Sequence, residues 1–333
     1  MTTRALPLQP VTTPSPGEIM RKIAISFLAL LALMAASLAT AQTWPTKAVK
    51  VIVPLGAGGI TDNIVRLAAD DLTKRMGQPF LVDNRPGANG LIAARFVKGS
   101  APDGYTLFGG SATTFSSVFM KESIDAEKEL EPVSIIAIGD WIIYVRPGLG
   151  VSSLKELAAK GKTTKLRFAS PSTANHAIMS AVAKQMGFEY EEIPYKATDQ
   201  TIVSLIAGDT DFTLNGLAGF TPMVQAGKLK VISTLGPSRS PILPDVQTAK
   251  EQGVDMVMRF NMGFWAPLGT PKDVVARLGQ AVAEAVKAPA VVEKIGMISM
   301  IPSASSPEEL LRAYQAEQRI YKAAAALVGL QPQ

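Results

Sequence analysis

The sequence predicts an α/β protein of two lobes. Two observations lead there: short β-type runs alternate with helical patterns, and the alternation restarts after residue 146. Residues 49–54 (VKVIVP) are nearly all apolar, as a strand buried on both faces must be. Residues 61–76 carry Ile64, Leu67, Ala68 and Leu72 at helical spacing, and Gly77 is a good stop. A second strand is expected at 80–83, a helix at 90–97 and a third strand at 105–109.

Residues 135–146 form one long β-type run that ends at Pro147. Ser153 and Glu156 make a capping box for a helix stopping at Gly161. The second series then runs strand 166–169, helix 175–186, strand 192–195, helix 199–207 and strands 211–214 and 229–235. Residues 258–267 read as extended. Thr270-Pro-Lys-Asp273 opens a helix through Val286 with proline at its first position, and Ser306-Pro-Glu-Glu309 caps the last helix. The series is long for one sheet, so the first lobe is expected to resume after the second, with linkers near residues 143 and 237. The expected division is residues 42–143 plus 238–333 for lobe 1 and 144–237 for lobe 2.

The leader has a basic start (Met20-Arg-Lys22), an apolar run over 23–38 and a small-x-small site, Ala39-Thr-Ala41. These are the three parts of a secretory signal peptide, so export to the periplasm with cleavage after Ala41 is expected, and Met20 is the expected true start. The alternative is an uncleaved membrane anchor. Removing residues 1–41 takes three basic residues and one acidic residue from totals of 33 and 28, which leaves a net charge of +3. No dense Lys/Arg run exists, which argues against nucleic acid. The chain has no cysteine, so a thiol nucleophile and a thiolate metal site are excluded; with one histidine, His176, a multi-histidine metal site is excluded too. No catalytic group, cofactor or metal is expected, and the chain is read as a monomer.

The most informative local feature is Pro54-Leu-Gly56-Ala57-Gly58-Gly59-Ile-Thr61-Asp62, between a buried strand and an amphipathic helix. Glycines there let the backbone turn sharply and approach a ligand, and free amides at a helix start favour an anion. Gly56-x-Gly58-x-x-Thr61 also resembles a dinucleotide fingerprint with Asp83 as the ribose acid. The third glycine is missing, however, and Pro54 interrupts the strand exit. A purely structural turn is the third reading. Asp62 fits a helix-capping role as well as it fits ligand contact.

These residues carry a resemblance. Trp44-Pro-Thr-Lys-Ala-Val-Lys-Val-Ile-Val-Pro54 with Ala57-Gly-Gly-Ile-Thr-Asp62 resembles the N-terminus of the Bug family, the substrate-binding proteins of tripartite tricarboxylate transporters. The likeness continues through Val82-Asp-Asn-Arg-Pro-Gly-Ala-Asn-Gly90, Ala101-Pro-Asp-Gly-Tyr-Thr-Leu107, Ile193-Pro-Tyr-Lys196 and Ala266-Pro-Leu-Gly-Thr-Pro271, and covers essentially residues 44–327. The resemblance implies a type II-like periplasmic binding fold: two lobes, each a mixed, mostly parallel sheet flanked by helices, with the ligand cleft between them. It implies capture of a small organic carboxylate (a di- or tricarboxylate, an aromatic carboxylate or an amino acid) held by main-chain amides of the 54–62 turn. It also implies delivery to integral-membrane permease subunits. The loop at 168–177 departs from the family pattern at Pro171 and Asn175.

That loop is the second candidate jaw. Ser170, Ser172 and Thr173 offer hydroxyls and Asn175 an amide at another strand–loop–helix start; ordinary N-capping is the competing reading. His176 at the same helix start is either structural or ligand-adjacent. Ser111, Thr113 and Thr114 follow the third strand, and Tyr195 and Asn215 follow strands of the second lobe, where open α/β sheets hold ligands. Trp141, Phe264 and Trp265 offer stacking surfaces or core. No arginine clamp stands out; Arg66, Arg85 and Arg95 read as ordinary helix or loop residues. The expected function is a periplasmic carboxylate receptor, with an exported sensor as alternative and a nicotinamide-dependent oxidoreductase as a remote one.

Overall fold

The computed structural model describes residues 44–112, 123–195, 197–216 and 220–327, together with Gly17, Met20 and Gly329. The chain divides into two compact units after Thr46, and all the described strands lie in the second, Lys47–Gln333. Apart from Gly17 and Met20, the expected leader lies outside the described residues.

In chain order the second unit begins β1 (Val49–Val53), α1 (Ile60–Met76), β2 (Phe80–Asn84), α2 (Leu91–Lys98) and β3 (Thr106–Gly110). These strands are parallel; Val51 pairs with Val82 on one side and Leu107 on the other. The helix α1 forms because Ile64, Val65, Ala68, Ala69 and Leu72 fall on one buried stripe. It ends at Gly77, whose φ of 70° lets its N–H turn back to Thr73 O. Burial is worth roughly 1.5–3 kcal/mol for each large aliphatic side chain, so a Leu72→Ala change would remove one of the main anchors of α1.

Next come α3 (Ala126–Glu129), β4 (Leu130–Val145) and α4 (Leu154–Gly161). A second parallel block follows: β5 (Leu166–Ser170), α5 (Thr173–Met186), β6 (Tyr190–Pro194), α6 (Thr198–Ala207) and β7 (Phe212–Gly216). The remaining elements are α7 (Thr221–Gln225), β8 (Lys230–Thr234), β9 (Arg259–Pro267), α8 (Lys272–Ala285), α9 (Pro289–Met297), β10 (Ile301–Pro302) and α10 (Pro307–Leu327).

The strand order is β2-β1-β3-β9-β4-β7-β5-β6, with β8 and β10 also paired to β4. The sixteen residues of β4 join the two blocks. Its first part, through Asp140, runs antiparallel to β9, and residues 141–145 run antiparallel to β7 and β8. The sheet is therefore mixed: two parallel wings meet through an antiparallel middle. Three segments meet where β4 changes partners. Leu235 N–H donates to Trp141 O at 2.7 Å, and Met258 N–H donates to Leu235 O at 2.7 Å. The core of the second wing takes in Ile143, Phe168, Ile178 and Phe212, and later residues return to it: Ala249, Val254, Met258 and Tyr321.

Several local expectations need correction. Strand β4 starts at Leu130, five residues earlier than its apolar run suggests, and it absorbs Pro132 because the register shifts between Pro132 and Ser134. Pro271 stands at the N-cap of α8 and not at its first position, and the Thr270 hydroxyl donates to Pro267 O instead. The capping box at α10 is complete: Glu309 N–H donates to Ser306 Oγ, and Ser306 N–H donates to the Glu309 carboxylate.

Candidate functional site

The pairing register brings the carboxyl ends of both parallel blocks to one gap. Strand β3 ends at Gly110, opposite Gly263, while β9 starts four residues before Gly263, at Arg259. There β9 pairs β4 up to Asp140, and the next residue of β4, Trp141, pairs Gly216, the last residue of β7. The ends of β3 and β7 thus face each other across residues 259–262 and 138–141. Because β1 is parallel to β3, and β5 to β7, the turn after β1 and the loop after β5 open on the same gap. In open α/β sheets this is where ligands bind.

The first jaw is the turn 54–59. Pro54 is buried, residues 55–60 are exposed, and Thr61 and Asp62 are buried again. Gly58 sits at φ 82°, a left-handed conformation that glycine alone adopts without strain. The amide of Asn63 is the first to enter the helix ladder, at Gly59 O (2.9 Å), so the amides of Ile60, Thr61 and Asp62 have no helical acceptor. Gly59 provides no side-chain cap. The end of β3 closes on this turn, since a Cβ at Gly110 would stand 3.3–3.4 Å from Pro54 and Thr61.

Asp62 organises this turn. Its Oδ2 accepts from Gly58 N–H at 2.8 Å and from Arg66 Nε at 2.9 Å, and its Oδ1 accepts from Asn84 Nδ2 at 2.9 Å. Asn84 Nδ2 also donates to Leu55 O, and Arg66 Nη2 donates to Asn84 Oδ1. Burial pushes the Asp62 carboxyl up, but the bonds from Arg66, Gly58 and Asn84 outweigh it and hold the group below the ordinary aspartate value. The carboxylate is therefore occupied by the protein, and the Gly58 amide is committed to it.

The second jaw is the start of α5. Ser172 caps the helix: its Oγ accepts from Asn175 N–H at 3.3 Å, and its carbonyl accepts from His176 N–H at 3.1 Å. The amides of Thr173 and Ala174 are left without a helical acceptor. Ser170 is buried, its hydroxyl turned to Ser172 O. Asn175 is buried as well; its Nδ2 donates to Leu214 O at 2.6 Å and so ties the helix start to β7.

Other expected site residues fall elsewhere. The His176 ring lies 3.3 Å from Tyr190 Oη and 3.4 Å from Glu192 Oε2, alongside edge strand β6 and not beyond its carboxyl end. Tyr195 donates its N–H to Ser170 O while its ring packs on the cluster of Ile142, Tyr144 and Phe220. Asn215 is buried, with Nδ2 on Thr213 Oγ1 at 3.0 Å. Ser111 borders a small recess with Asn261 and Glu317 at the end of β3. Thr113 and Thr114 lie outside the described residues. Phe264 and Trp265 are core, whereas Trp141 meets Phe260 edge-on at 5.6 Å beside the gap. Asn84, Phe260, Asp140 and Arg259 escaped sequence reasoning. Asn84 is the one with a local signal, as the residue ending the second strand. Asp83, the would-be ribose acid, is engaged by Arg85 Nε at 3.0 Å. Among the described residues no group of three or more His, Asp or Glu is placed to hold a metal ion.

A two-winged α/β sheet with a helix start after the first strand of each wing is the arrangement of a solute-binding protein rather than of a nucleotide fold. The sequence profile of the tripartite tricarboxylate transporter family receptor matches residues 64–328. A UPF0065 protein of Bordetella pertussis is 33% identical over 96% of this chain and 99% of its own. Among solved structures, Rpa4515 of R. palustris with adipate is 28% identical, with a TM-score of 0.76 over 87% of this chain and 100% of that one. MatC (Rpa3494) from Rhodopseudomonas palustris with bound malate is 27% identical, with a TM-score of 0.70 over 84% and 99%. The chain belongs to the tripartite tricarboxylate transporter receptor family, the Bug-type solute-binding proteins of the periplasm.

Proposed function

We propose that this protein captures a small organic carboxylate in the gap between its two wings and hands it to the membrane subunits of a tripartite permease. Residues 1–41 act as a cleaved leader that carries it to the periplasm. The wings act as lobes, residues 42–143 with 238–333 and residues 144–237, and close about the crossing near Asp140. The observation that carries this reading is the pair of helix starts: each follows the carboxyl end of a parallel strand, and the amides of residues 60–62 and of 173–174 meet no acceptor among the described residues. Such amides bind an anion without a cationic side chain. Hydrogen bonds to a charged group contribute ~1.5–3 kcal/mol each, so three or four suffice for micromolar capture. The adipate and malate held by similar receptors support the carboxylate class.

The test is thermal stabilisation of the mature chain by a panel of mono-, di- and tricarboxylates, aromatic carboxylates and acidic amino acids, with NAD as control. Stabilisation by at least one carboxylate is expected. A shift with NAD alone would overturn the reading.

A further inference from the structure

Arg259 opens β9 at the point where β4 passes from one wing to the other, and it faces Asp140 in the ladder. Its Nε donates to Asp140 Oδ1 at 2.6 Å. The Asp140 side chain is 4% exposed, and a Cβ on Gly236 would stand 2.9–3.1 Å from its carboxylate, so it has no room to swing away. Arg259 is different: its side chain is 27% exposed, and its two terminal nitrogens bond to none of the described residues. The guanidinium is fixed along one edge and open along the other. Residues 259–262 of β9 lie, in register, between the end of β3 at Gly110 and the end of β7 at Gly216. Arg66, the arginine beside the first jaw, is already engaged by Asp62 and Asn84.

A guanidinium held by its Nε and presenting its terminal nitrogens is the arrangement that takes a carboxylate in two parallel hydrogen bonds. We infer that Arg259, oriented by Asp140, contacts a second carboxylate on the ligand, and that this contact makes the receptor prefer dianions to monoanions. The inference rests on the carboxylate reading above and adds the residue that sets ligand charge. Helix-start amides hold one end of the ligand; the arginine reads the other. Asp140 is a positioning residue in this scheme, since its carboxylate is hydrogen-bonded to Arg259 and acts on the ligand only through it.

The alternative role for the pair is a tie between β4 and β9, which would alter stability without regard to ligand charge. Calorimetric titration separates the two. Succinate, glutarate and adipate are compared with butyrate, valerate and hexanoate, on the wild type, R259K, R259Q and the double variant D140N/R259Q. The double variant leaves no unpaired buried carboxylate if R259Q alone folds poorly. The expected result is a wild-type preference for the dicarboxylates that falls roughly 10- to 100-fold in R259Q and the double variant. R259K, which keeps the charge without the fork, recovers part of that preference, and affinity for the monocarboxylates changes little in any variant. Equal wild-type affinity for matched mono- and dicarboxylates would overturn the inference and leave the receptor reading standing. So would an unchanged dicarboxylate preference in a folded R259Q or double variant. Failure of every acid in this set and in the wider carboxylate panel would overturn both.

Discussion

Replacing Asp62 by alanine tests whether this carboxylate builds the first jaw. The change strips an acceptor from three donors at once: Gly58 N–H, Arg66 Nε and Asn84 Nδ2. Arg66 is 44% exposed, so water replaces much of what it loses, and that pair counts as a surface ion pair of ~0–1 kcal/mol. The Gly58 and Asn84 bonds end on a side chain only 2% exposed and weigh about 1–1.5 kcal/mol each. The expected destabilisation is therefore about 2–4 kcal/mol, or a fall in melting temperature of very roughly 5–15 °C for a chain of this size. Asp62→Asn should cost less, because one oxygen still accepts. The pH dependence has a definite sign. The folded carboxyl lies below its ordinary value of 3.8, so its stabilisation is complete above that value and is lost as the pH falls through the folded value. The gap in stability between wild type and Asp62→Asn should thus be constant near neutrality and narrow below about pH 3.8. Urea unfolding at several pH values measures it. Identical midpoints for Asp62→Ala and wild type would refute the organising role, and a gap that widened on acidification would refute the charge argument.

Gly58→Val puts a β-branched residue at φ 82°, with open space around its Cβ. The cost is about 1–2 kcal/mol of backbone strain, and carboxylate binding should be lost with the circular dichroism unchanged; wild-type affinity would move the site elsewhere. Gly139→Ala drives a Cβ into the Phe260 ring and should destabilise by roughly 1–3 kcal/mol. Adding Phe260→Ala should relieve part of that, and strictly additive melting shifts would contradict the contact. Asn175→Ala removes the bond to Leu214 O inside the second jaw and should cost about 1–3 kcal/mol in urea unfolding, with weaker ligand binding.

The wings were readable because their strands are short apolar runs, buried on both faces and set between amphipathic helices. Residues 49–53 and 212–215 are entirely buried except Lys50. The middle of the sheet was harder. The start of β4 was hidden by Pro132, which breaks a strand pattern unless a register shift accommodates it. Helix α9 was missed because Val292 and Met297 face solvent and blur its apolar stripe. That Met258 and Tyr321 complete the core beside Phe168 depends on chain crossings that no local period records.

The site divides along the same line. Its glycines and helix starts are local signals, since a strand–glycine–helix turn carries its conformation in a few adjacent residues. The direction of each side chain is not local. Asp62 is a turn organiser because β2 lies beside β1 and brings Asn84, twenty-two positions away, against the turn. His176 stands at a helix start as expected, yet its ring follows Tyr190 and Glu192 along the edge strand. Arg259 looked like any cation in an extended run, because its partner Asp140 lies 119 positions away on the neighbouring strand. An anion site built from amides leaves a glycine signature in sequence. A single arginine oriented across a ladder leaves none, so the proposed role of Arg259 in reading ligand charge comes into view only once β4 and β9 are paired.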